Sequence, residues 1–257
     1  MSVVTIERRG HAVWATLNRP EARNALSGIV LTALEQVASE MHDTDASVLV
    51  ITGAGDKAFS AGADLKERQK MDAEETYERI ELINSVFNAL ASIRKPTLCA
   101  LNGSAYGGGL ELALTCDFRI AVDTAEVGLT EVRLGIMPGA GGTQRLPRLI
   151  GLARAKEMIL LGRRIPARRA AEWGLINEVV PAADLAAAVN RWVEELDGCA
   201  PLSLSLAKEA NDKGMDQELD GGLMTERGCY EQTLGSEDRD EGLRAFNEKR
   251  PPKYQGR

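Results

Sequence analysis

Apolar residues recur along the chain in two rhythms, and the change from one to the other marks out its elements. Residues 3–7 and 12–17 flank Arg9-Gly10 and predict a β-hairpin at the N-terminus, with His11 in one of its strands. Val30, Leu31, Leu34, Val37, Ala38 and Met41 fall at helical spacing behind Ser27, which the pattern assigns as the helix cap. The unbroken run Val48-Leu49-Val50-Ile51 predicts a strand covered on both faces. Residues 52–65 predict a long loop of small residues, and residues 72–93 a helix that stops before Lys95-Pro96. Further strands are predicted over 97–101, 118–122, 126–129 and 176–180. Helices are predicted over 110–114, 144–150, 152–161, 165–173 and 182–197. From Pro201 onward the rhythm is helical throughout, over 202–212, about 216–234 and 237–248. The division is an α/β core over residues 1–195 and a helical region over 196–257. The helical region carries Leu219, Leu223, Met224 and Leu234, more apolar side chain than one subunit would cover, and it predicts an oligomer interface.

Composition narrows the function classes. The chain has 257 residues and a net charge of −7, which argues against a nucleic-acid partner. Its four cysteines, Cys99, Cys116, Cys199 and Cys229, include no CxxC pair and fit a reducing compartment. No apolar run reaches the ~20 residues that span a bilayer, so no membrane partner is expected. Residues 1–6 lack the pattern of a signal peptide, and the expected location is cytoplasmic. His11 and His42 stand apart without metal-ligand spacing, so no metal is expected and proton chemistry falls to carboxylates.

The candidate chemistry centres on Asn102-Gly103-Ser104-Ala105-Tyr106-Gly107-Gly108-Gly109-Leu110-Glu111. An apolar strand precedes it and helix formers follow, so it reads as strand, glycine turn and helix. That arrangement suits a packing turn, a phosphate cradle or an oxyanion hole; the GKS/T ending of a P-loop and GxGxxG are both missing. Phe59-Ser60-Ala61-Gly62-Ala63 follows a buried strand, where open α/β sheets place ligands. A second glycine-rich loop covers 134–143. Glu111 and Glu131, twenty residues apart, supply two carboxylates beside these loops. Paired carboxylates near an oxyanion site suit proton transfer at a carbon next to a carbonyl. GxSxG is absent and no histidine neighbours Ser60 or Ser104, which weakens an acyl-enzyme mechanism.

Over nearly its whole length the sequence resembles the crotonase family, the enoyl-CoA hydratases and isomerases. The residues that carry the resemblance are Leu17-Asn18-Arg19-Pro20 with Asn24-Ala25-Leu26, the stretch from Phe59 to Leu65, and Asn102-Gly103 through Ala113. Pro138-Gly139-Ala140-Gly141-Gly142-Thr143-Gln144-Arg145-Leu146 and Phe246-Asn247-Glu248-Lys249-Arg250 complete it. The resemblance implies a spiral of ββα units with a C-terminal all-helical oligomerisation region, assembled as a homotrimer or a dimer of trimers. It implies an acyl-CoA thioester substrate whose CoA belongs to the substrate, with no separate cofactor. The Ala63 and Gly108 amides would receive the thioester oxygen, Glu111 would activate water, and Glu131 would exchange a proton with the α-carbon. Gly139 would hold the water through its amide. Ala61, Asp64, Leu65 and Lys66 would contact CoA through the loop backbone, Phe246 and Lys249 near its nucleotide end, and Arg23 at a phosphate. Tyr106 stands where smaller aliphatic residues are common and either narrows the acyl pocket or only packs.

Many family isomerases and decarboxylating relatives keep one glutamate or neither, so the pair implies hydration of a short or branched enoyl-CoA. Isomerisation and a non-catalytic RNA-associated role are the alternatives. The branch it most resembles is that of methylglutaconyl-CoA and short-chain enoyl-CoA hydratases. Some members of that branch bind RNA through a lysine-rich first helix. Residues 27–42 here contain no lysine or arginine, and that function is not carried over.

Overall fold

The structure, a computed structural model, describes residues 2–257. Its strands are β1 (Val4–Arg9), β2 (Ala12–Leu17), β3 (Val48–Gly53), β4 (Ala58–Ser60), β5 (Thr97–Leu101), β6 (Ser104–Tyr106), β7 (Phe118–Val122), β8 (Glu126–Gly128), β9 (Ile165–Pro166) and β10 (Glu178–Val180). Its helices are α1 (Gly28–Asp43), α2 (Leu65–Arg68), α3 (Ala73–Ala91), α4 (Gly108–Ala113), α5 (Gly142–Ile150), α6 (Leu152–Leu160), α7 (Ala167–Glu172), α8 (Leu185–Asp197), α9 (Pro201–Gly214), α10 (Leu219–Thr233) and α11 (Glu237–Glu248). Glu131–Leu134 forms a short 3-10 turn.

Two sheets organise these elements. The larger has the order β1-β2-β3-β5-β7-β10, and the smaller β4-β6-β8-β9. β2, β3, β5, β7 and β10 run parallel, and β1 closes one edge antiparallel to β2. In the smaller sheet β4, β6 and β8 run parallel. The chain alternates between them: β3 is followed by β4, β5 by β6, and β7 by β8. Each turn of this spiral therefore adds one strand to each sheet. The segments leaving β4, β6 and β8 consequently lie side by side, and these are the segments the sequence marks as functional.

The strand period of two assigns the core. In β3, Leu49 and Ile51 point to the main core with Phe59, Phe87, Leu90 and Leu110. Val48 and Val50 point to the opposite face, where Trp14, Leu98 and Ile120 meet Ala188 and Val189 of α8. Both faces are covered, which is why β3 reads as an unbroken apolar run.

Four local expectations change. His11 lies in the hairpin turn, not in a strand. Ser27 occupies the N-cap of α1, but its side chain makes no capping bond; the Gly28 amide instead donates to Glu67 Oε2 at 3.1 Å. The 52–65 loop contains β4, because pairing with β6 orders Ala58–Ser60. Residues 165–173 split into β9 and α7, since Ile165 and Pro166 pair with β8.

Candidate active site

The three spiral segments converge on a cavity of about 120 Å³. Ala61 and Ala63 line it from the segment after β4, Gly107 and Gly108 from the segment after β6, and Thr130 and Glu131 from the segment after β8. Glu111, Gly139, Ala140, Leu134, Ile136 and Met137 also face it, with Ile80 and Ile83 of α3 opposite.

The segments at Gly62 and Gly107 approach so closely that side chains would part them. Gly62 has φ of +89°, and a Cβ there would stand 2.6 Å from the Tyr106 carbonyl and 3.1 Å from the Gly108 nitrogen. A Cβ on Gly108 would lie 3.7 Å from the Ala63 nitrogen. Ala63 and Gly108 thus sit as neighbours on one wall. Among the described residues neither amide has a hydrogen-bond acceptor, whereas the Leu26 amide donates to the Gly62 carbonyl and the Asp64 amide to the Leu26 carbonyl on either side of Ala63. Gly108 opens α4, where unpaired N–H groups concentrate positive potential. Two main-chain donors on a partly closed wall make an anion-stabilising site.

The two carboxylates sit in unlike surroundings. Glu111, on the first turn of α4, is 3% exposed. Its Oε1 accepts from the Ala140 and Gly142 amides, each at 2.8 Å. Burial pushes its pKa up, while those two amides and the Arg145 guanidinium pull the other way by favouring the charged form. Glu131 is 9% exposed, and neither of its carboxylate oxygens has a hydrogen-bond partner among the described residues. Burial raises its pKa to about 7; its own backbone amide, outside hydrogen-bond geometry, opposes this weakly, and the charge of Glu111 adds to it. An acid with a pKa near neutral, sharing a cavity with a second carboxylate that two amides hold in place, is an arrangement suited to proton exchange.

The sequence pattern of the family described as Enoyl-CoA hydratase/isomerase matches residues 8–257. A crystal structure of enoyl-CoA hydratase from Bacillus anthracis superimposes with a TM-score of 0.98 at 44% identity, covering 99% of this chain and 100% of that one. Mouse enoyl-CoA hydratase domain-containing protein 2, mitochondrial, is 43% identical over 94% of this chain and 83% of its own length. Mouse methylglutaconyl-CoA hydratase, mitochondrial, is 42% identical over 97% and 81%.

The chain belongs to the enoyl-CoA hydratase/isomerase family. It is an enzyme of this kind, built on the crotonase fold that the motifs led us to expect.

Among the expected site residues of this crotonase, Ala61, Ala63, Leu65, Gly108, Glu111, Glu131 and Gly139 all line the cavity. The Gly139 amide, like those of Ala63 and Gly108, has no acceptor among the described residues. The remaining expectations fare differently. The Asp64 side chain accepts from the Lys66 and Glu67 amides and pairs with Arg19 Nη1 at 3.0 Å, which fixes the loop whose backbone is expected to meet CoA. Tyr106 does not line the cavity. Its hydroxyl donates to Glu126 Oε2 at 2.8 Å on β8, and Arg164 stacks over its ring at 4.7 Å, so it packs between strands. Arg23 and Lys66 are exposed and lie outside the cavity lining. Phe246 is 82% exposed on α11 and Lys249 ends that helix; neither reaches the cavity within this chain.

The structure adds residues that the sequence did not disclose. Asn84 of α3 donates to the Gly139 carbonyl at 3.0 Å. Arg145 donates to the Ala140 carbonyl at 3.1 Å and to Asn88 Oδ1 at 2.8 Å. These contacts hold the 139–142 loop against α3, and with it the two amides that fix Glu111. The polar positions Asn84 and Asn88, one turn apart on an otherwise amphipathic helix, were the available signal.

Proposed function

We propose that this enzyme is a hydratase that adds water reversibly across the 2,3-double bond of a short or branched enoyl-CoA thioester. The observation that carries the reading is the pair Glu111 and Glu131, buried on one cavity wall beside the unpartnered Ala63 and Gly108 amides.

As water adds at the β-carbon, negative charge builds on the thioester oxygen, and the two amides stabilise it there. Losing one such donor costs roughly 2.7–4 kcal/mol in barrier. Glu111, whose amide partners favour its ionised form, takes a proton from the attacking water, which the Gly139 amide orients. Glu131, neutral below about pH 7, gives its proton to the α-carbon. The product leaves Glu111 protonated and Glu131 ionised, and dehydration runs the same steps backwards. Coenzyme A arrives as part of the substrate and no further cofactor enters the scheme. The small cavity supports a short acyl group. The exposed Leu219, Leu223, Met224 and Leu234 support assembly through the C-terminal helices, as a homotrimer or a dimer of trimers.

Crotonyl-CoA hydration, followed by loss of the conjugated enoyl absorbance, tests the reading. The wild type turns over, and Glu111→Gln and Glu131→Gln lose activity while keeping their circular dichroism. Full activity in both variants would sink the proposal. Double-bond isomerisation, the other activity in the family's description, is separated by product analysis: conversion of a 3-enoyl-CoA to the 2-enoyl ester without water uptake would favour it.

A further inference from the structure

Asn84 of α3 does not line the cavity, yet its side-chain amide group is committed at two points. Nδ2 donates to the Ile80 carbonyl at 2.9 Å within the helix and to the Gly139 carbonyl at 3.0 Å. The bond within the helix fixes the side chain and so aims the second N–H at Gly139.

The Gly139 carbonyl and the Ala140 amide belong to one planar trans peptide unit, so they point in opposite directions. The Ala140 amide donates to Glu111 Oε1 at 2.8 Å. One peptide plane is thus gripped at both ends, by Asn84 on one side and by Glu111 on the other. Hydrogen bonds in series polarise one another, so the Asn84 donor also strengthens the amide that holds Glu111. Side-chain packing does not replace this grip. Gly139 is exposed, and a Cβ added to it would find nothing nearer than the Met137 carbonyl at 4.0 Å. Glycine backbone without such contacts rotates readily, and the amide expected to orient the water belongs to this same residue. The rest of the loop has a tie of its own, because Arg145 donates to the Ala140 carbonyl at 3.1 Å.

We propose that Asn84 is a positioning residue for the water half of hydration, aiming the Gly139 amide and Glu111 at the β-carbon and leaving the α-carbon half untouched. The α-carbon half belongs to Glu131 and to the Ala63 and Gly108 amides, and Asn84 bonds to none of these. The inference rests on the hydratase reading, in which one carboxylate serves each carbon. α3 also carries Ile80 and Ile83, which line the cavity. One helix therefore meets the acyl group and holds the loop that presents the water.

The test sets hydration of crotonyl-CoA against α-proton exchange of butyryl-CoA in D2O, in the wild type, Asn84→Ala and Asn84→Asp. Exchange needs no attacking water. At a pH above its pKa of about 7, Glu131 takes the α-proton, the C–H electron pair passes to the thioester oxygen, and a deuteron from solvent comes back. Asn84→Ala is expected to lower kcat for hydration by about 10-fold or more, as misplacement of a reacting group does, with KM little changed. The exchange rate is expected to match the wild type. Asn84→Asp keeps the shape of the side chain but turns an acceptor towards the Gly139 carbonyl, and it should lose hydration at least as far. Wild-type hydration in both variants overturns the proposal. An equal fall in hydration and exchange also overturns it, since a purely structural role would lower both together. A wild type that exchanges the α-proton but adds no water would refute the hydratase reading itself, and with it any water for Asn84 to place.

Discussion

Two pairs of buried carboxylates, in the spiral core and in the C-terminal region, are treated in opposite ways. Asp238 and Glu241 of α11 are saturated with donors. Asp238 accepts from the Gln255 and Gly256 amides at 2.6 and 2.7 Å, and Glu241 binds Arg250 and Arg244 and accepts from the Lys253 amide at 2.9 Å. Those contacts, Arg250 foremost, hold the Glu241 pKa far below the usual carboxylate range and fasten the chain's last residues to the helix. In the core, Glu111 keeps two amide donors on one oxygen and Glu131 keeps none. Glu241, saturated with donors, is held in its charged form and serves as a fastener. A carboxylate stripped of donors gives up stability and gains a proton that can move near neutral pH.

The comparison is sharpened most by removing the base. Glu111→Gln should lower crotonyl-CoA hydration by about 10²–10⁴-fold, the usual worth of a positioned acid or base, while thermal unfolding stays cooperative. Glu131→Gln should cost activity within the same range and separate from Glu111→Gln in its stability profile. A folded-state pKa of about 7 lies above the ordinary value of 4.5, so the folded protein binds the extra proton between those two values. Wild-type stability is therefore penalised as pH rises from about 5 to 8, and the variant escapes that penalty. Relative to the wild type, Glu131→Gln should gain about 1–2 kcal/mol over this window after allowance for solvent screening, read by denaturant titration at both ends. No gain would show that Glu131 is not held neutral.

Gly142→Ala should act through geometry alone. Its Cβ would meet Leu129 Cδ1 at 2.8 Å and Glu111 Oε1 at 2.9 Å, displacing the carboxylate. A loss of roughly 10–100-fold in kcat is expected, in keeping with a small misplacement of a reacting group. The smallest effect on catalysis belongs to the fastener. Glu241→Gln should leave hydration unchanged and lower Tm at pH 7. Because the Glu241 pKa is depressed, its contribution is present above the ordinary carboxylate range and is lost on acidification, so the two Tm values should converge at low pH. A change in hydration rate would show the two regions to be coupled.

Much of this was legible in the sequence. The long strands and helices announced themselves by period, and the glycine loops with Glu111 and Glu131 marked the site because close backbone approach and proton transfer demand those residue types. The smaller sheet was harder to see. β4 and β6 have three residues each, too few to show alternation, and only pairing along the spiral reveals them, whereas β8 was expected. Ser27 looked like a cap because its type and place were right, yet Glu67, distant in sequence, supplies the bond. Tyr106 stood within a motif, but Glu126, remote in sequence, claims its hydroxyl.

Infrared spectroscopy of the Glu131 carboxyl tests the central claim most directly, as a difference between the wild type and Glu131→Gln across a pH titration. The account predicts a protonated-carboxyl band in the wild type that disappears as pH rises through about 7 and is missing from the variant. A Glu131 already ionised at pH 5 would contradict it.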